Sequence, residues 1–247
     1  MSLLPSWITN SPVYGAIRDW RYLRDHRDRR QFYAGYIRPQ SLVFDIGANV
    51  GHYTLIFQSL GARVIAIEPQ QALAQSLRRR FQGNARVVVE QTAVGARPGE
   101  ATLRKTSDLS EVASLRADVA ETSRFAREHP FTATETVAIQ TFSALLARHG
   151  VPDFCKIDVE GYEQEVLATL DQPIPVISFE FNREYFAVAE ACVETLSALG
   201  AYEFNFAQGE DTFLRHPAWQ PGTVLLAQLR GMSDPLLWGD IYARMRR

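Results

Sequence analysis

Acidic residues and glycines gather at the ends of apolar runs, where their types suit a nucleoside ligand. The first run ends in Asp45 and leads into Gly47-x-Asn49-x-Gly51, and the second run ends in Glu68, 17 residues after Gly51. Glycine lets a backbone approach a ligand closely, a helix start offers free N–H groups, and an acid after the second run suits two ribose hydroxyls. This arrangement predicts the floor of a pocket for a nucleoside-containing cofactor.

The spacing of the glycines separates two classes of cofactor. A nicotinamide-type turn has glycine at its first, third and sixth positions, where this chain has Gly47, Asn49 and His52. The observed pattern instead follows the G-x-G-x-G turn of enzymes that bind S-adenosylmethionine, and asparagine tolerates left-handed backbone better than most residues. The alternative is an ordinary turn between a strand and a helix that binds nothing, which the spacing of Glu68 disfavours.

A second cluster, Asp158-Val-Glu160-Gly161, follows an apolar run and suits proton transfer. In a strand Asp158 and Glu160 point to the same side, and Gly161 permits a sharp turn into a helix. Ligands of open α/β sheets bind outside the carboxyl ends of the strands, and two carboxylates there need solvent, a cation or a ligand. Alternatively, Glu160 or Glu163 only favours the positive start of the next helix.

We predict no metal site. A divalent ion held by Asp158 and Glu160 would activate a hydroxyl group, but no histidine-rich ligand spacing accompanies these two acids. Cys155 and Cys192 lack the spacing of a zinc site or a disulfide framework, so we expect both to be buried as small hydrophobic residues.

The rest of the chain has the pattern of a sheet covered by helices, which would position these clusters. Strands are predicted over residues 42–46, 64–67, 87–90, 100–105, 136–140, 154–159, 176–181, 202–206 and 223–228. Helices are predicted between the glycine turn and residue 60, and over residues 71–81, 142–149, 163–170 and 185–199. Residues 106–134 are polar and weakly periodic, which favours a loop or lid.

The two ends of the chain are rich in aromatic and apolar residues. Residues 1–38 interleave aromatics with arginines, and Val13, Ile17 and Trp20 fall on one helical face, so we expect one or two helices that dock on the core. Binding to RNA or to a membrane surface is the alternative, which the aspartates of this segment weaken. Residues 236–245 form an apolar stripe that suits internal packing and self-association into a homo-oligomer equally well.

The composition limits the classes of protein to which this chain can belong. A chain of 247 residues can bury a full core as one domain, and a formal net charge of −2 lacks the basic footprint of a nucleic-acid binder. No apolar run approaches the roughly 20 residues that span a bilayer, and the N-terminus lacks the order of a signal peptide. We therefore expect a cytoplasmic protein with a single domain over residues 39–247, a helical extension over residues 1–38 and no nucleic-acid partner.

Four motifs in this order resemble the FkbM family of S-adenosylmethionine-dependent methyltransferases. They are FDIGANVGHYT, AIEP, TAVG followed by GEATL, and KIDVEGYE, and the resemblance extends over residues 42–181. KIDVEGYE is the most specific, because other methyltransferases share the first two but seldom this one. The resemblance implies the α/β class I methyltransferase fold, with a seven-stranded, mostly parallel sheet, an antiparallel last strand and helices on both faces. It also implies S-adenosyl-L-methionine as the methyl donor and a hydroxyl of a sugar, polyketide or other small metabolite as the acceptor.

The resemblance also implies roles for single residues. The family's cofactor loop corresponds to Asp45, Gly47, Asn49 and Gly51, and its ribose-binding acid corresponds to Glu68. Its acidic strand end corresponds to Asp158, Glu160 and Gly161. Glu180 matches an acid that is common at the end of the next strand, and Ser114 lies where the family often has Ser-Ser-Leu, so both are candidate substrate-binding residues. Ala93, after the third strand, is expected at the adenine edge, and Asp158 is a candidate for cofactor binding as well as catalysis.

Methyl transfer from a sulfonium is an in-line displacement, so much of the catalysis can come from holding the acceptor oxygen about 3 Å from the methyl group. An alcohol acceptor must still lose a proton, and Asp158, Glu160 and His52 are the candidate bases. One alternative is a methyltransferase that acts on nucleic acid or protein, although the chain lacks the Asn/Asp-Pro-Pro-aromatic run typical of amino-methylating DNA enzymes. Another is a non-catalytic module of the same fold, which the retained glycine loop and Glu68 disfavour.

Overall fold

The computed structural model describes residues 12–106, 113–122, 126 and 130–246. Its strands are β1 (Leu42–Ile46), β2 (Arg63–Ile67), β3 (Val87–Glu90), β4 (Ala93–Val94), β5 (Gly99–Lys105), β6 (Ala113–Ser114), β7 (Ala133–Gln140), β8 (Phe154–Ile157), β9 (Val176–Asn182), β10 (Tyr202–Gln208) and β11 (Trp238–Met245). Its helices are α1 (Pro12–Asp25), α2 (Arg27–Tyr33), α3 (His52–Ser59), α4 (Gln71–Arg80), α5 (Ala117–Thr122), α6 (Phe142–His149), α7 (Glu163–Leu167), α8 (Phe186–Leu199) and α9 (Gly222–Gly231).

Seven strands form one sheet in the order β3-β2-β1-β8-β9-β11-β10. The pairings among β3, β2, β1, β8 and β9 are parallel, and β11 pairs antiparallel with both β9 and β10. This confirms the predicted α/β fold with a mostly parallel sheet and an antiparallel last strand. The carboxyl ends of the parallel strands share one edge of the sheet, where ligands of such folds bind.

Helices cover both faces of the sheet because successive residues of a strand point to opposite sides. In β1, Val43 packs in a cluster with Tyr33 of α2 and Phe57 of α3. Phe44, the next residue, packs in the larger cluster that contains Phe142 of α6 and the core of α8. Cys155 and Cys192 are free and buried in this larger cluster, as predicted.

A second, four-stranded sheet has the order β4-β7-β5-β6. It contains the predicted strand at residues 100–105, which pairs antiparallel with β7. The predicted loop at residues 106–134 includes β6, α5 and the start of β7, so part of it is regular structure. The remainder of that loop, at residues 107–112, 123–125 and 127–129, lies outside the described residues.

The strand predicted at residues 223–228 is wrong, because this segment is helix α9. Leu225, Leu226 and Leu229 are buried at helical spacing, and a short apolar run does not by itself distinguish a strand from a helix. The last strand of the sheet is β11, formed by the apolar stripe at the C-terminus. Its successive residues Ile241 and Tyr242 point to opposite faces and enter different hydrophobic clusters, so the stripe packs within this chain.

The N-terminal helices contact the core through α2 and the end of α1. Tyr33 is 2% exposed, and its hydroxyl lies 3.2 Å from that of Tyr242 on β11. The prediction that the face with Ile17 and Trp20 docks on the core is wrong, because both side chains are exposed. Tyr22 of α1 packs on the core instead. The division into an extension and a domain at residue 38 stays a prediction. Among the described residues, no helix has both the length and the apolar character needed to cross a membrane.

Candidate active site

The glycine loop after β1 has left-handed backbone at three positions. Gly47, Asn49 and Gly51 have φ angles of 84°, 52° and 82°. A Cβ atom on Gly47 would lie 1.8 Å from the carbonyl oxygen of Asp158, which no side chain allows. The glycine therefore lets the loop lie directly against the end of β8, so the two predicted clusters meet.

Asp45 holds this loop from beneath. Its side chain is buried, and it accepts a hydrogen bond of 2.5 Å from the Thr54 hydroxyl on α3. Burial raises the pKa of Asp45 to about 6, although the bond from Thr54 lowers it. The carboxyl group thus joins the end of β1 to α3, and within the described residues neither Asp45 nor Gly51 lines the cavity beside the loop.

Glu68, at the end of β2, is anchored by two backbone groups. Its Oε2 accepts from the N–H of Asn49 at 2.9 Å and its Oε1 from the N–H of Gln70 at 2.8 Å. Burial raises the pKa of Glu68 to about 7, although these hydrogen bonds lower it. Each carboxyl oxygen has a second lone pair, so the fixed group can still accept bonds from two hydroxyl donors.

A cavity of about 380 Å³ lies between the glycine loop, the strand ends and the second sheet. One half of the cavity, named the nucleoside half after the ligand that the sequence predicts, is lined by the glycine loop, Glu68, Ala93, Leu103 and Leu115. Leu103 comes from β5 and Leu115 follows β6, so the second sheet supplies an apolar wall to this half. The volume is within the range of small-molecule sites.

The acidic half of the cavity is formed by Asp158, Glu160, Glu180 and Asp240. Carboxyl oxygens of Asp158, Glu160 and Glu180 lie within 4.8 Å of one another, a spacing that could hold a divalent cation. Glu180 on β9 pairs with Asp240 on β11, so the antiparallel strand brings a fourth acid to the cluster. Burial and then the charges of Glu160 and Asp158 raise the pKa of Glu180 well above its ordinary value.

Two polar side chains support the turn that carries Glu160, whose φ angle is 54°. The buried Ser114 hydroxyl donates to the carbonyl of Glu160 at 2.9 Å and accepts from the Arg116 N–H at 3.1 Å. Glu163, also buried, accepts from the N–H groups of Val159 and Gly161, at 3.2 Å each. Ser114 therefore contacts the backbone of the turn, and its role in substrate binding stays a prediction.

His52 lies at the cavity wall with its ring stacked on Tyr22, at 4.3 Å between centroids. Burial and then the charge of Arg80 lower the pKa of His52 to about 4. The imidazole is therefore neutral at pH 7, but a base works best when its pKa lies near the working pH. The Arg80 guanidinium also donates to the Val50 carbonyl at 2.7 Å, which ties α4 to the glycine loop.

Lys156 and Asp240 were not predicted as site residues. Lys156 is 1% exposed, and its ammonium contacts both Asp158 and Asp240. The signal for Lys156 was present, since in a strand it points to the same side as Asp158, two residues later. Asp240 is not among the predicted site residues because the sequence pattern places the last strand at residues 223–228. The last strand is in fact β11, which contains Asp240.

A family model described as "Methyltransferase FkbM domain" matches residues 45–207. A comparison with curated proteins finds no match. Among solved structures, the chain is similar to the precorrin-6Y C5,15-methyltransferase of Geobacter metallireducens, at 13% identity over 88% of this chain and 87% of that one, with a TM-score of 0.46. It is also similar to a putative rRNA-methylase of Clostridium thermocellum, at 8% identity over 88% of this chain and 94% of that one, with a TM-score of 0.46.

Proposed function

The chain belongs to the FkbM family of methyltransferases, and on that premise we propose that it uses S-adenosyl-L-methionine to methylate a hydroxyl group of a small molecule or glycan. The observation that carries this proposal is a single cavity in which an anchored acid beside a glycine loop faces a cluster of four carboxyl groups. The first half suits a nucleoside, and the second suits a positive charge and the removal of a proton.

The residues of the nucleoside half fit the cofactor. Gly47 leaves the backbone bare where any side chain would collide, and Glu68 presents two fixed oxygens to the ribose hydroxyls. Ala93 and Leu103 offer small apolar surface to the adenine ring. When bound, the cofactor supplies an activated methyl group on a positively charged sulfonium.

Asp158 is the first candidate for the proton acceptor. Its side chain is 34% exposed, so a ligand can reach it, and the ammonium of Lys156 contacts its Oδ2. Burial and the charges of Glu160 and Asp158 raise the pKa of Glu180 well above its ordinary value, which favours the protonated form, and a protonated carboxyl group can donate a hydrogen bond to an acceptor oxygen. Glu160 is the second candidate, whereas the low pKa of His52 suits a neutral wall of the cavity better than a base.

The first test is binding of S-adenosylhomocysteine, followed by thermal denaturation. At a ligand concentration of 100 Kd the free energy of unfolding rises by about 2.7 kcal/mol. For a chain of this size, that is a rise in melting temperature of roughly 5–10 °C. Glu68→Ala is the matched control and should lose most of the rise. No rise for the wild-type protein at millimolar ligand would contradict the proposal.

The second test separates catalysis from cofactor binding with Asp158→Asn. We expect turnover, measured as S-adenosylhomocysteine released with hydroxylated small molecules as acceptors, to fall at least about 100-fold. Calorimetry should find the affinity for S-adenosylhomocysteine less affected. Asp171→Asn changes an exposed aspartate outside the site and serves as the control. An equal loss of turnover and affinity in Asp158→Asn would make Asp158 a cofactor ligand instead.

A further inference from the structure

Four side chains of α1 form one exposed face that combines apolar surface with positive charge. Ile17, Trp20, Arg21 and Arg24 have the spacing i, i+3, i+4 and i+7, which places them on one side of the helix. All four are exposed, at 52% for Ile17 and 61% for Trp20. The Arg24 guanidinium lies over the Trp20 ring, 5.2 Å from its centroid, so the charged and apolar groups adjoin. These four side chains are named the outer face of α1.

The opposite side of α1 is fixed to the core beside the cavity. The ring of Tyr22 stacks on His52 at the cavity wall, with 4.3 Å between centroids. Asp19 accepts a hydrogen bond of 2.9 Å from the Arg80 guanidinium, which also donates to the Val50 carbonyl of the glycine loop. A surface that binds the outer face is therefore joined through α1 to the wall of the cavity.

The outer face is positively charged although the chain as a whole is not. Residues 1–38 contain seven arginines and three aspartates, whereas the formal net charge of the whole chain is −2. Asp19 pairs with Arg80 on the core side, so it does not dilute the charge of the outer face as its place in the sequence suggests. Asp25 pairs with Arg24 at 2.7 Å, and Arg21 keeps the balance of the face positive.

A membrane surface with anionic lipids complements both properties of the outer face. Helices that lie in the lipid–water interface combine tryptophan and aliphatic side chains, which enter the acyl boundary, with arginines that meet lipid phosphates. The sequence just before α1 has the same apolar character. Residues 1–11, which lie outside the described residues, have no charged side chain and include Leu3, Leu4, Trp7 and Ile8.

Two other occupants fit this face less well. A nucleic acid would pair with the arginines but leave Ile17 without an apolar partner, and the chain lacks the basic footprint of such binders. A second copy of the chain in a two-fold dimer would pack the same face against itself, which brings Arg21 and Arg24 of both copies together.

We propose that the outer face of α1 is a docking site for a membrane surface that contains anionic lipids. Ile17 and Trp20 enter the lipid boundary, and Arg21 and Arg24 contact the phosphate groups. The inference goes beyond the proposed function, because docking requires neither the cofactor nor an acceptor.

The test is co-sedimentation of the full chain with vesicles of phosphatidylcholine alone and of phosphatidylcholine and phosphatidylglycerol in equal parts. We expect binding to the anionic vesicles only, and weaker binding as the salt concentration rises, because salt screens surface charge. Arg21→Gln with Arg24→Gln should lower the affinity by about fivefold for each arginine removed. Ile17→Ser with Trp20→Ser should lower it by about tenfold or more, since less apolar surface leaves water.

Matched control variants change exposed side chains elsewhere. Arg63→Gln with Arg86→Gln removes two exposed arginines at the amino ends of β2 and β3, and Val151→Ser with Val224→Ser removes two exposed apolar side chains. Both should bind anionic vesicles as the wild-type protein does. Because every variant alters exposed positions, all should keep the wild-type melting temperature, which separates loss of docking from loss of fold.

Tryptophan fluorescence reports whether Trp20 enters the lipid. With anionic vesicles the emission of the wild-type protein should move to shorter wavelength. Trp20→Phe keeps an aromatic ring, so it should still bind the vesicles but show a smaller shift. An equal shift in both proteins would contradict insertion of Trp20.

Three further results would overturn the inference. The first is equal binding to both kinds of vesicle, or anionic-vesicle binding that neither double variant of the outer face weakens. The second is an oligomer of the wild-type protein that Ile17→Ser with Trp20→Ser dissociates in light scattering, since a second copy then covers the face. The third is single-stranded RNA that displaces the protein from vesicles and requires Arg21 and Arg24. The proposed function is tested separately, by binding of S-adenosylhomocysteine without vesicles.

Discussion

Glu163 is expected to give the folded chain a pH dependence that one isosteric substitution removes. Its side chain is 2% exposed, and its Oε1 accepts hydrogen bonds from the N–H groups of Val159 and Gly161. Burial raises the pKa of Glu163 from 4.5 to about 7, although these hydrogen bonds lower it. Glutamine keeps the accepting oxygen and has an N–H group where the protonated acid has its O–H, so Glu163→Gln mimics the protonated form.

The magnitude follows from the difference between the two pKa values. Between pH 4.5 and 7 the unfolded chain has lost the proton that folded Glu163 retains, so the free energy of unfolding falls as the pH rises. At about 1.4 kcal/mol for each pH unit, the loss amounts to about 3 kcal/mol by pH 8. Glu163→Gln lacks this loss. Relative to the wild-type protein it should gain about 3 kcal/mol between pH 4.5 and pH 8.

The assay is urea unfolding at pH 4.5, 6 and 8, followed by tryptophan fluorescence. Asp45 and Glu68 also have pKa values raised by burial, but they contribute to both proteins, so the difference between them isolates Glu163. Glu194→Gln, on the exposed face of α8, is the control and should follow the wild-type pH dependence. The reasoning is refuted if Glu163→Gln loses as much stability between pH 4.5 and 8 as the wild-type protein.

Three further predictions concern the cavity. Gly47→Ala should abolish the thermal shift with S-adenosylhomocysteine, because its Cβ would lie 1.8 Å from the Asp158 oxygen and left-handed backbone alone costs about 1–2 kcal/mol; normal binding by calorimetry would contradict this. Glu68→Gln should weaken S-adenosylhomocysteine binding by about tenfold or more, since one amide N–H group would face a backbone N–H donor; unchanged affinity would remove Glu68 from the ribose site. His52→Phe keeps a ring against Tyr22 and should change turnover by less than about threefold, whereas a loss of about 100-fold would make His52 the base.

The parts of the site that sequence could predict come from loops that directly follow parallel strands. Gly47 follows β1, Glu68 follows β2 and Asp158 follows β8, and the carboxyl ends of adjacent parallel strands necessarily meet at one edge of the sheet. The start of α6 also has a local signal, because threonine favours the N-cap position, and the Thr141 hydroxyl accepts from the Ala144 N–H at 3.2 Å.

Residues that reach the site by other routes could not be found this way. Tyr53 enters from the first turn of α3, and Leu103 enters from the second sheet. Asp240 enters from an antiparallel strand, so it lies within β11 rather than after its carboxyl end. Hydrophobic periodicity reports which face of an element is buried, but not where in the sheet a late strand is inserted.

Because β11 is inserted between β9 and β10, the acidic half of the cavity combines residues from the middle of the chain with Asp240 from its C-terminal strand. Gly239 has a φ angle of 154°, and a Cβ on it would lie 2.1 Å from the carbonyl oxygen of Ala207 on β10, so only glycine allows β10 and β11 to pair this closely beside Asp240. On its other side β11 pairs with β9, which sets Asp240 across from Glu180, and Asp240 Oδ1 lies 3.5 Å from the Lys156 ammonium. Without β11, Lys156 would retain Asp158 as its partner but lose Asp240. The C-terminal strand therefore supplies one of the two carboxylates that the Lys156 ammonium contacts, about 80 residues after the end of β8.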